Sequence, residues 1–292
     1  MSIELDTRQR AMLQEMGVHV WLPETERPQA PAPSISSASA IEAIAASAIS
    51  AGVTAQKALN PQAARPSPAP APAGATPTEL APGVADMDGP ALAQAVAVCQ
   101  ACALCSGRRA PVFEPGETAP GPNWRADWLV VGDPPDEAEE RQGAPFTDAA
   151  GQLLDNMLKA VGVSRPGAAG STAPASQRAY ATNVVKCRTD PARNPTPQEL
   201  AVCEHFLRRE VALVQPKVIV AMGRFAAQTL LHGSLPEGSK TPFGKLRGQV
   251  YRYQGIAVVV TYHPTYLLRT PQDKARAWTD LCLAMDVIKR GD

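Results

Sequence analysis

The sequence predicts an α/β protein built on a parallel β-sheet. Four short segments, residues 127–131, 180–185, 217–222 and 256–262, are rich in β-branched residues and nearly all apolar. Such segments are typical of strands that are covered on both faces. Helical patterns separate them, and strands that alternate with helices form a parallel sheet with helices on both faces.

The helical segments carry apolar residues three and four positions apart. They are residues 149–162, 196–214, 224–231 and 274–290. In the second of them, Thr196 is expected to be the N-cap because a hydroxyl can accept from the first free amides, and Pro197 suits the first turn.

Four unusual motifs follow the four predicted strands. VGDPPD follows the first strand, TNVVKC ends the second, MGR follows the third and HPTYLLR follows the fourth. Ligands of open α/β sheets bind outside the carboxyl ends of the strands. We therefore expect all four motifs to meet at one edge of the sheet.

Three regions are predicted along the chain. In residues 1–22, Leu5, Met12, Leu13 and Met16 have the spacing of a short amphipathic helix, which either packs on the main domain or serves as a tethered docking motif. Residues 23–87 are rich in Ala, Pro and Ser, without an aromatic residue, and are expected to be a disordered linker. Residues 88–292 carry the strands and helices.

Composition and charge narrow the function classes. The chain has 45% hydrophobic but only 5% aromatic residues, a net charge of zero and a pI near 6.9. The chain is not basic overall, so its charge does not indicate nucleic-acid binding. Binding of DNA would require a local basic patch. Neither a secretion signal nor an apolar run long enough to cross a membrane is visible, so a cytoplasmic protein is expected.

The spacing of the six cysteines favours metal binding over disulfides. Three form a C-x2-C-x2-C cluster, two are separated by fifteen residues further on, and one is alone on a predicted helix. In order, they are Cys99, Cys102, Cys105, Cys187, Cys203 and Cys282.

Four of these thiolates could hold zinc or an iron–sulfur cluster. Cys187 and Cys203 flank a basic loop and do not form a second tight knuckle, which favours iron–sulfur. The alternative is a set of buried or oxidisable thiols. Cys105 is a candidate alternate ligand, whereas Cys282 is expected in the core.

An ordered set of motifs resembles the family 4 uracil-DNA glycosylases, iron–sulfur enzymes of bacteria and archaea that excise uracil from DNA. The set is the first C-x2-C, TNVVKCR, the later Cys203 and HPTYLLR, and the resemblance covers residues 95–288. It implies a three-layer α/β/α sandwich around a central four-stranded parallel sheet. It also implies a structural [4Fe-4S] cluster on Cys99, Cys102, Cys187 and Cys203.

The resemblance also implies roles in recognising the base. Asn183 corresponds to the residue that reads the amide edge of uracil, and Phe146 to the aromatic that stacks on the flipped base. His263 corresponds to the residue that stabilises charge on uracil O2, and Glu139 to an acid against C5. Three of them have a structural alternative: His263 could be a satisfied histidine, Phe146 a core aromatic, and Glu139 part of a solvated turn.

The residues after His263 correspond to a loop that enters the minor groove of DNA. They include Tyr266, Leu267 and Arg269. Phosphate contacts could come from scattered arginines if these gather at the same edge. The arginines are Arg108, Arg109, Arg188, Arg193, Arg247 and Arg269.

The residue types suit this chemistry independently of the resemblance. An enzyme that acts on a base in DNA extrudes it, and a stacking aromatic and an amide then bind it. The amide of Asn183 can donate to a carbonyl and accept from the ring N–H, which rejects cytosine because its edge is reversed. A donor at O2 lowers the barrier because breaking the glycosidic bond leaves negative charge on uracil.

The motif after the first strand departs from the family pattern, which is Gly-Glu-Ala or Gly-Gly followed by Pro-Gly-Glu. Asp133 keeps a carboxylate that is one methylene shorter, and it is the candidate catalytic carboxylate. Pro134 lacks an N–H and stiffens the loop, and Asp136 stands where relatives have Gly. An additional negative charge near phosphates weakens DNA binding.

The predicted function is therefore a monofunctional uracil-DNA glycosylase of base excision repair that leaves an abasic site. The alternative is a catalytically weakened DNA-binding or damage-sensing homologue with the same fold and cluster. A scaffold role, in which the N-terminal helix recruits a repair or replication protein, is compatible with either.

Overall fold

A computed structural model describes residues 83–114, 124–165, 174–190, 192–234 and 241–291. The predicted N-terminal helix and the predicted linker up to residue 82 lie outside the described residues. The three predicted regions of the chain therefore stay a prediction.

The structure contains a five-stranded sheet in the order β2-β1-β3-β5-β4. Its strands are β1 (Trp128–Gly132), β2 (Ala179–Asn183), β3 (Val218–Met222), β4 (Val250–Tyr253) and β5 (Ile256–Thr261). β2, β1, β3 and β5 are the four predicted strands, and neighbours among them pair in parallel. The predicted α/β fold class is confirmed.

The fifth strand, β4, pairs antiparallel with β5 and was not predicted. Gln254 and Gly255 connect the two strands with positive φ angles of 50° and 82°, as a tight hairpin turn requires. The strand lies at the edge of the sheet, and Val250 and Arg252 are exposed. Its sequence VYRY therefore lacks the continuous apolar pattern by which the buried strands were identified.

The carboxyl ends of the parallel strands lie at the same level. Gly132 at the end of β1 pairs with Asn183 and with Met222, and Met222 pairs with Thr261 at the end of β5. The four motifs that follow these strands therefore start from one edge of the sheet, as predicted.

Eight α-helices are assigned within the described residues. They are α1 (Gly89–Val98), α2 (Glu137–Gln142), α3 (Asp148–Ala160), α4 (Pro197–Val214), α5 (Arg224–Leu231), α6 (Phe243–Leu246), α7 (Pro264–Arg269) and α8 (Lys274–Arg290). The predicted helices correspond to α3, α4, α5 and α8. Thr196 caps α4 as predicted, because its Oγ1 accepts from Glu199 N at 3.2 Å while Glu199 Oε2 accepts from Thr196 N at 2.8 Å.

Both faces of the sheet are covered. One core packs sheet residues such as Val130 and Val220 against α3 and α8, and Cys282 packs against it, as predicted. The other packs Ile219 and Val258 against α4 and α5. No described helix has the length and apolar character needed to span a membrane.

A third cluster of buried residues joins α1 to α4. It includes Leu92 and Val96 of α1 and Phe206 of α4, together with Cys187 and Cys203. The cysteines thus lie at the junction of α1, α4 and the segment after β2.

Candidate active site and cysteine cavity

The structure brings together three of the predicted base-recognition residues at the carboxyl edge of the sheet. Asn183 ends β2, His263 follows β5, and Phe146 lies just before α3. The rings of Phe146 and His263 stack with centroids 5.3 Å apart and an angle of 22° between their planes. Glu139 bonds both Phe146 and Asn183.

Phe146 has an unusual main-chain conformation that its neighbours maintain. Its φ angle is 52°, in the left-handed region that a bulky residue rarely adopts. The Phe146 N–H donates to Glu139 Oε1 at 2.6 Å, and its carbonyl accepts from Arg165 Nη1 at 3.2 Å. Two glycines leave room for it: a Cβ on Gly132 would lie 2.6 Å from the ring, and one on Gly151 would overlap the Phe146 carbonyl oxygen.

Both carboxylate oxygens of Glu139 bind groups of the protein. Oε2 accepts from the main-chain N–H of Asp136 at 2.8 Å, which completes a capping box at the start of α2. Oε1 accepts from Phe146 N and, at 3.3 Å, from Asn183 Nδ2. Burial raises the pKa of Glu139, and these hydrogen bonds counteract the shift. The described contacts make Glu139 a positioning residue, and its role against C5 stays a prediction.

The amide of Asn183 offers an acceptor to a ligand. Its Nδ2 donates to the Asp133 carbonyl at 2.9 Å and to Glu139, which fixes the orientation of the amide. Its Oδ1 is buried and has no hydrogen-bond partner among the described residues. A buried acceptor without a partner costs free energy, so a ligand N–H at this position would bind favourably.

His263 is held as a neutral imidazole with one free donor. Its Nδ1 accepts from Thr265 N at 3.3 Å as the N-cap of α7, so the proton of the neutral ring is on Nε2. Burial lowers the pKa of His263 to about 4; Asp136 opposes this shift and Arg269 adds to it. Near neutral pH the residue therefore presents an uncharged Nε2–H.

The carboxylate of Asp133 is bound to the start of α5. It accepts from Phe225 N at 2.7 Å and from Ala226 N at 3.0 Å. A Cβ on Gly223 would overlap this carboxylate. Burial raises the pKa of Asp133 to about 6 despite these bonds. The contacts give Asp133 a capping role at α5, and its catalytic role stays a prediction.

The predicted minor-groove loop is the short helix α7, which places its side chains on two faces. Tyr266 is 40% exposed, and Arg269 is also exposed. Leu267, by contrast, is 0% exposed in the core against α3 and α8, so its side chain cannot contact DNA in this structure. The exposed leucine is Leu268, at 42%. The sequence motif carries two adjacent leucines, and only the helical geometry of α7 distinguishes them.

Tyr266 belongs to a stack of aromatic rings at the same edge. Its ring stacks on Tyr262 at 4.9 Å, and Tyr262 contacts Phe243 at 5.7 Å. The Arg247 guanidinium lies 4.2 Å from the centre of the Tyr262 ring. The hydroxyl of Tyr266 donates to Asp273 at 2.7 Å, which fixes the ring that faces solvent.

Several of the arginines predicted for phosphate binding pair with carboxylates. The pairs are Arg188 with Glu140 at 2.9 Å, Arg193 with Glu199 at 2.7 Å and Arg247 with Asp280 at 2.8 Å. Their guanidinium groups are therefore partly neutralised. Among the predicted arginines, Arg269 is exposed on α7 beside Leu268, where a phosphate could reach it.

Five of the six cysteines line one cavity. They are Cys99, Cys102, Cys105, Cys187 and Cys203. All are free thiols, and burial raises the pKa of Cys102, of Cys187 and of Cys203, the last to about 12.

Two donors point at sulfur atoms of this cavity. Arg108 Nη1 donates to Cys187 Sγ at 3.1 Å, and the main-chain N–H of Lys186 donates to Cys203 Sγ at 3.3 Å. Within the described ranges, no three ligating side chains are close enough together to hold a single metal ion. The five thiols therefore line a common cavity, and the two hydrogen-bond donors would stabilise their sulfur atoms in the thiolate form.

Comparisons with known proteins agree with this geometry. The family model described as the uracil DNA glycosylase superfamily matches residues 120–283. The type-4 uracil-DNA glycosylase of Archaeoglobus fulgidus is 36% identical over 154 residues, which cover 51% of this chain and 71% of that protein. The type-4 enzyme of Thermotoga maritima is 34% identical over 63% of this chain and 85% of its own length.

A third relative extends the match over nearly a whole protein. The type-4 uracil-DNA glycosylase of Pyrobaculum aerophilum is 31% identical over 201 residues, which cover 68% of this chain and 93% of that enzyme. The residues matched by the family model, 120–283, contain the sheet and the candidate active site. The chain therefore belongs to the uracil DNA glycosylase superfamily, in the group of the type-4 enzymes.

Proposed function

We propose that the protein is a monofunctional uracil-DNA glycosylase, which hydrolyses the N-glycosidic bond of uracil in DNA and leaves an abasic site for base excision repair. The observation that carries this proposal is the buried, unpartnered Oδ1 of Asn183 beside the stacked rings of Phe146 and His263. The family relationship supports the same function.

Asn183 selects the base through the direction of its hydrogen bond. Its Oδ1 accepts, and N3 of uracil carries a hydrogen, whereas N3 of cytosine does not. Cytosine would therefore leave the buried acceptor without a partner, which is the condition under which polar sites discriminate most strongly. Glu139 and the Asp133 carbonyl hold the amide so that it cannot rotate to offer its donors instead.

His263 stabilises the leaving base. Its neutral Nε2–H donates to O2 of uracil, where negative charge develops as the bond to the sugar breaks. A donor that is already oriented by the Thr265 N–H needs no rearrangement during the reaction. The ring of Phe146 is 2% exposed and stacks on His263, so in this structure it supports the imidazole, and its stacking on a flipped base stays a prediction.

The position of Asp133 favours a second candidate function, a catalytically weakened DNA-binding or damage-sensing protein. Its carboxylate is bound by two main-chain amides of α5. A carboxylate engaged in this way is less able to orient the attacking water or to stabilise the sugar cation. The nearby Asp136 is engaged in the same way as the N-cap of α2, since its Oδ1 accepts from Ala138 N and Glu139 N at 2.9 Å each.

We further propose that Cys99, Cys102, Cys187 and Cys203 hold a [4Fe-4S] cluster. The residues fit such a group because four thiols from α1, its following loop, the segment after β2 and α4 line one cavity, and donors from Arg108 and Lys186 face two sulfurs. When bound, the cluster would supply a covalent cross-link between these elements. Cys105 lines the same cavity and is an alternate ligand.

Uracil-containing DNA is the proposed partner. We assign contacts with the DNA to Tyr266, Leu268 and Arg269, which are the exposed side chains of α7. A repair or replication protein bound through the N-terminal helix, and a cytoplasmic location, stay predictions from the sequence.

Release of uracil from single- and double-stranded oligonucleotides by anaerobically purified protein tests the proposed function. We expect release by the wild-type chain and a fall to a small residual rate in Asn183→Ala and His263→Ala. The matched controls Asn156→Ala and His205→Ala change exposed residues of the same types on helices and should keep full activity.

No release from wild-type protein that binds uracil-DNA and carries iron would favour the catalytically weakened homologue. Release at the wild-type rate in Asn183→Ala or His263→Ala would contradict the assigned roles. A colourless preparation containing zinc, without absorption near 400 nm, would exclude the proposed cluster.

A further inference from the structure

A fully buried ion pair joins α4 to the segment after β2. Lys186 Nζ lies 2.6 Å from Glu210 Oε2, and the two side chains are 2% and 0% exposed. Burying two charges costs more than their attraction returns unless further hydrogen bonds satisfy them. The partners of this pair therefore indicate what it does.

The ion pair is hydrogen-bonded to the last residues of β2. Lys186 Nζ donates to the carbonyl of Asn183 at 3.1 Å and also to Thr182 Oγ1. Glu210 Oε1 accepts from Thr182 Oγ1 at 2.9 Å and from the Tyr180 hydroxyl at 3.1 Å. Three residues of β2, the last of them Asn183, are thus bonded to one buried pair.

Lys186 is also part of the cysteine cavity. Its main-chain N–H donates to Cys203 Sγ, and Lys186 is among the residues that line the cavity. Its carbonyl accepts from Val112 N at 2.7 Å. A single residue therefore contacts a sulfur on one side and the main chain of Asn183 on the other.

We propose that Lys186 and Glu210 are a positioning pair that couples the cysteine cavity to the base-reading amide of Asn183. The pair fixes the main chain of Asn183, while Glu139 and the Asp133 carbonyl fix its side chain. The Oδ1 acceptor of Asn183 is consequently held in position through both the main chain and the amide group of the residue. This inference rests on the proposed function, because it assigns Asn183 to recognition of uracil.

The first variant is Glu210→Gln, which keeps the shape of the side chain and removes its charge. We expect kcat/KM for uracil release to fall about tenfold or more, the scale on which partners that orient a functional group act. The matched control is Glu204→Gln on the same helix, since Glu204 is also buried and bonds a cation and a tyrosine hydroxyl, Arg208 and Tyr253. It should leave kcat/KM unchanged.

A double-mutant cycle separates positioning from general destabilisation. In the Asn183→Ala background, Glu210→Gln should have no further effect on the residual rate, because the residue it positions is already missing. Iron content and absorption near 400 nm should equal those of wild type. An equal loss in both backgrounds, or an equal loss in Glu204→Gln, would overturn the inference.

A second variant covers the case in which Glu210→Gln does not fold. Lys186→Met with Glu210→Leu removes both charges and leaves neither unpaired. Its fluorescence anisotropy with uracil- and cytosine-containing oligonucleotides should show a reduced preference for uracil. An unchanged preference would overturn the positioning role. A wild-type chain that shows the preference without releasing uracil would refute the glycosylase proposal alone.

Discussion

The chemistry of Asn183 and His263 is decided by main-chain groups next to them. The Thr265 N–H occupies one nitrogen of the imidazole, which leaves the other as a donor. The Asp133 carbonyl occupies the donor side of the amide, which leaves its oxygen as an acceptor. One site therefore presents one donor and one acceptor in fixed positions, although both side chains could in principle serve as either.

Gly151→Ala should displace Phe146 and reduce uracil release. The added Cβ would overlap the Phe146 carbonyl oxygen, and a main-chain atom cannot move as easily as a flexible side chain. Misplacement of a positioning group by an ångström costs about tenfold to a hundredfold in rate. Steady-state kinetics on a uracil oligonucleotide measure this effect. Gly107→Ala is the matched control because no atom lies within 4 Å of its added Cβ.

The unfolding free energy of the wild-type chain, relative to that of Asp133→Asn, should increase as the pH is lowered into the mildly acidic range. Its folded-state pKa of about 6 exceeds the ordinary value of 3.8, so the folded state binds more protons between these two pH values. Stability from this group is then present below pH 4 and lost as pH rises through 6. The difference between these two pKa values corresponds to about 3 kcal/mol of unfolding free energy.

Urea unfolding of both proteins at pH 7 and pH 4.5 checks this dependence on Asp133. The difference in unfolding free energy between wild type and Asp133→Asn should move in favour of wild type at the lower pH. A difference that is constant with pH would show that the carboxyl group is ionised normally in the folded protein.

At the scale of elements, α7 separates two adjacent leucines into a core residue and a surface residue. Leu267→Ala should destabilise the fold by about 2–5 kcal/mol, because it leaves a cavity among α3, α7 and α8. Leu268→Ala should change stability by less than about 0.5 kcal/mol. It should reduce uracil release from double-stranded DNA several-fold, since an exposed apolar side chain supports the opened base stack.

Thermal unfolding and release assays on both substrates distinguish the two leucines. The Leu268→Ala defect should be smaller on single-stranded DNA, in which no base pair must open. Equal defects on the two substrates would contradict a role for Leu268 in opening the duplex.

The periodicity of apolar residues and the capping residues at helix ends predicted most of the helices and strands. The four parallel strands were visible because they are buried on both faces, and the start of α4 was visible because Thr196 and Pro197 form a recognisable cap. The strand β4 was missed because an edge strand is half exposed. The helix α7 was missed because six residues are too few for a periodic pattern.

At the scale of the whole molecule, the described residues contain every candidate site residue. A chain that lacks residues 1–82 should therefore release uracil with unchanged kcat/KM, since Val84 and α1 still pack against α4 and the cysteine cavity is retained. Kinetics and iron content of the truncated and full chains measure this. A large loss of activity at full iron content would assign a role in catalysis to the N-terminal residues.

The sequence located the site but not its internal contacts. Convergence of the four motifs follows from the direction of parallel strands, so it could be predicted. The bond of Glu139 to Asn183 joins residues 44 positions apart, and those of Asp133 to α5 join residues 92 and 93 positions apart, which no local pattern encodes. The same holds for Arg165 and Glu210, which the motifs did not indicate.

The unpartnered oxygen of Asn183 has a consequence for turnover. After the glycosidic bond breaks, free uracil still carries the N–H that satisfies this oxygen, so the product keeps part of the affinity of the substrate. Departure of uracil would leave this buried acceptor without the N–H again, so the hydrogen bond opposes release of the product. A glycosylase built in this way is inhibited by its own product, and free uracil should raise its melting temperature while cytosine does not.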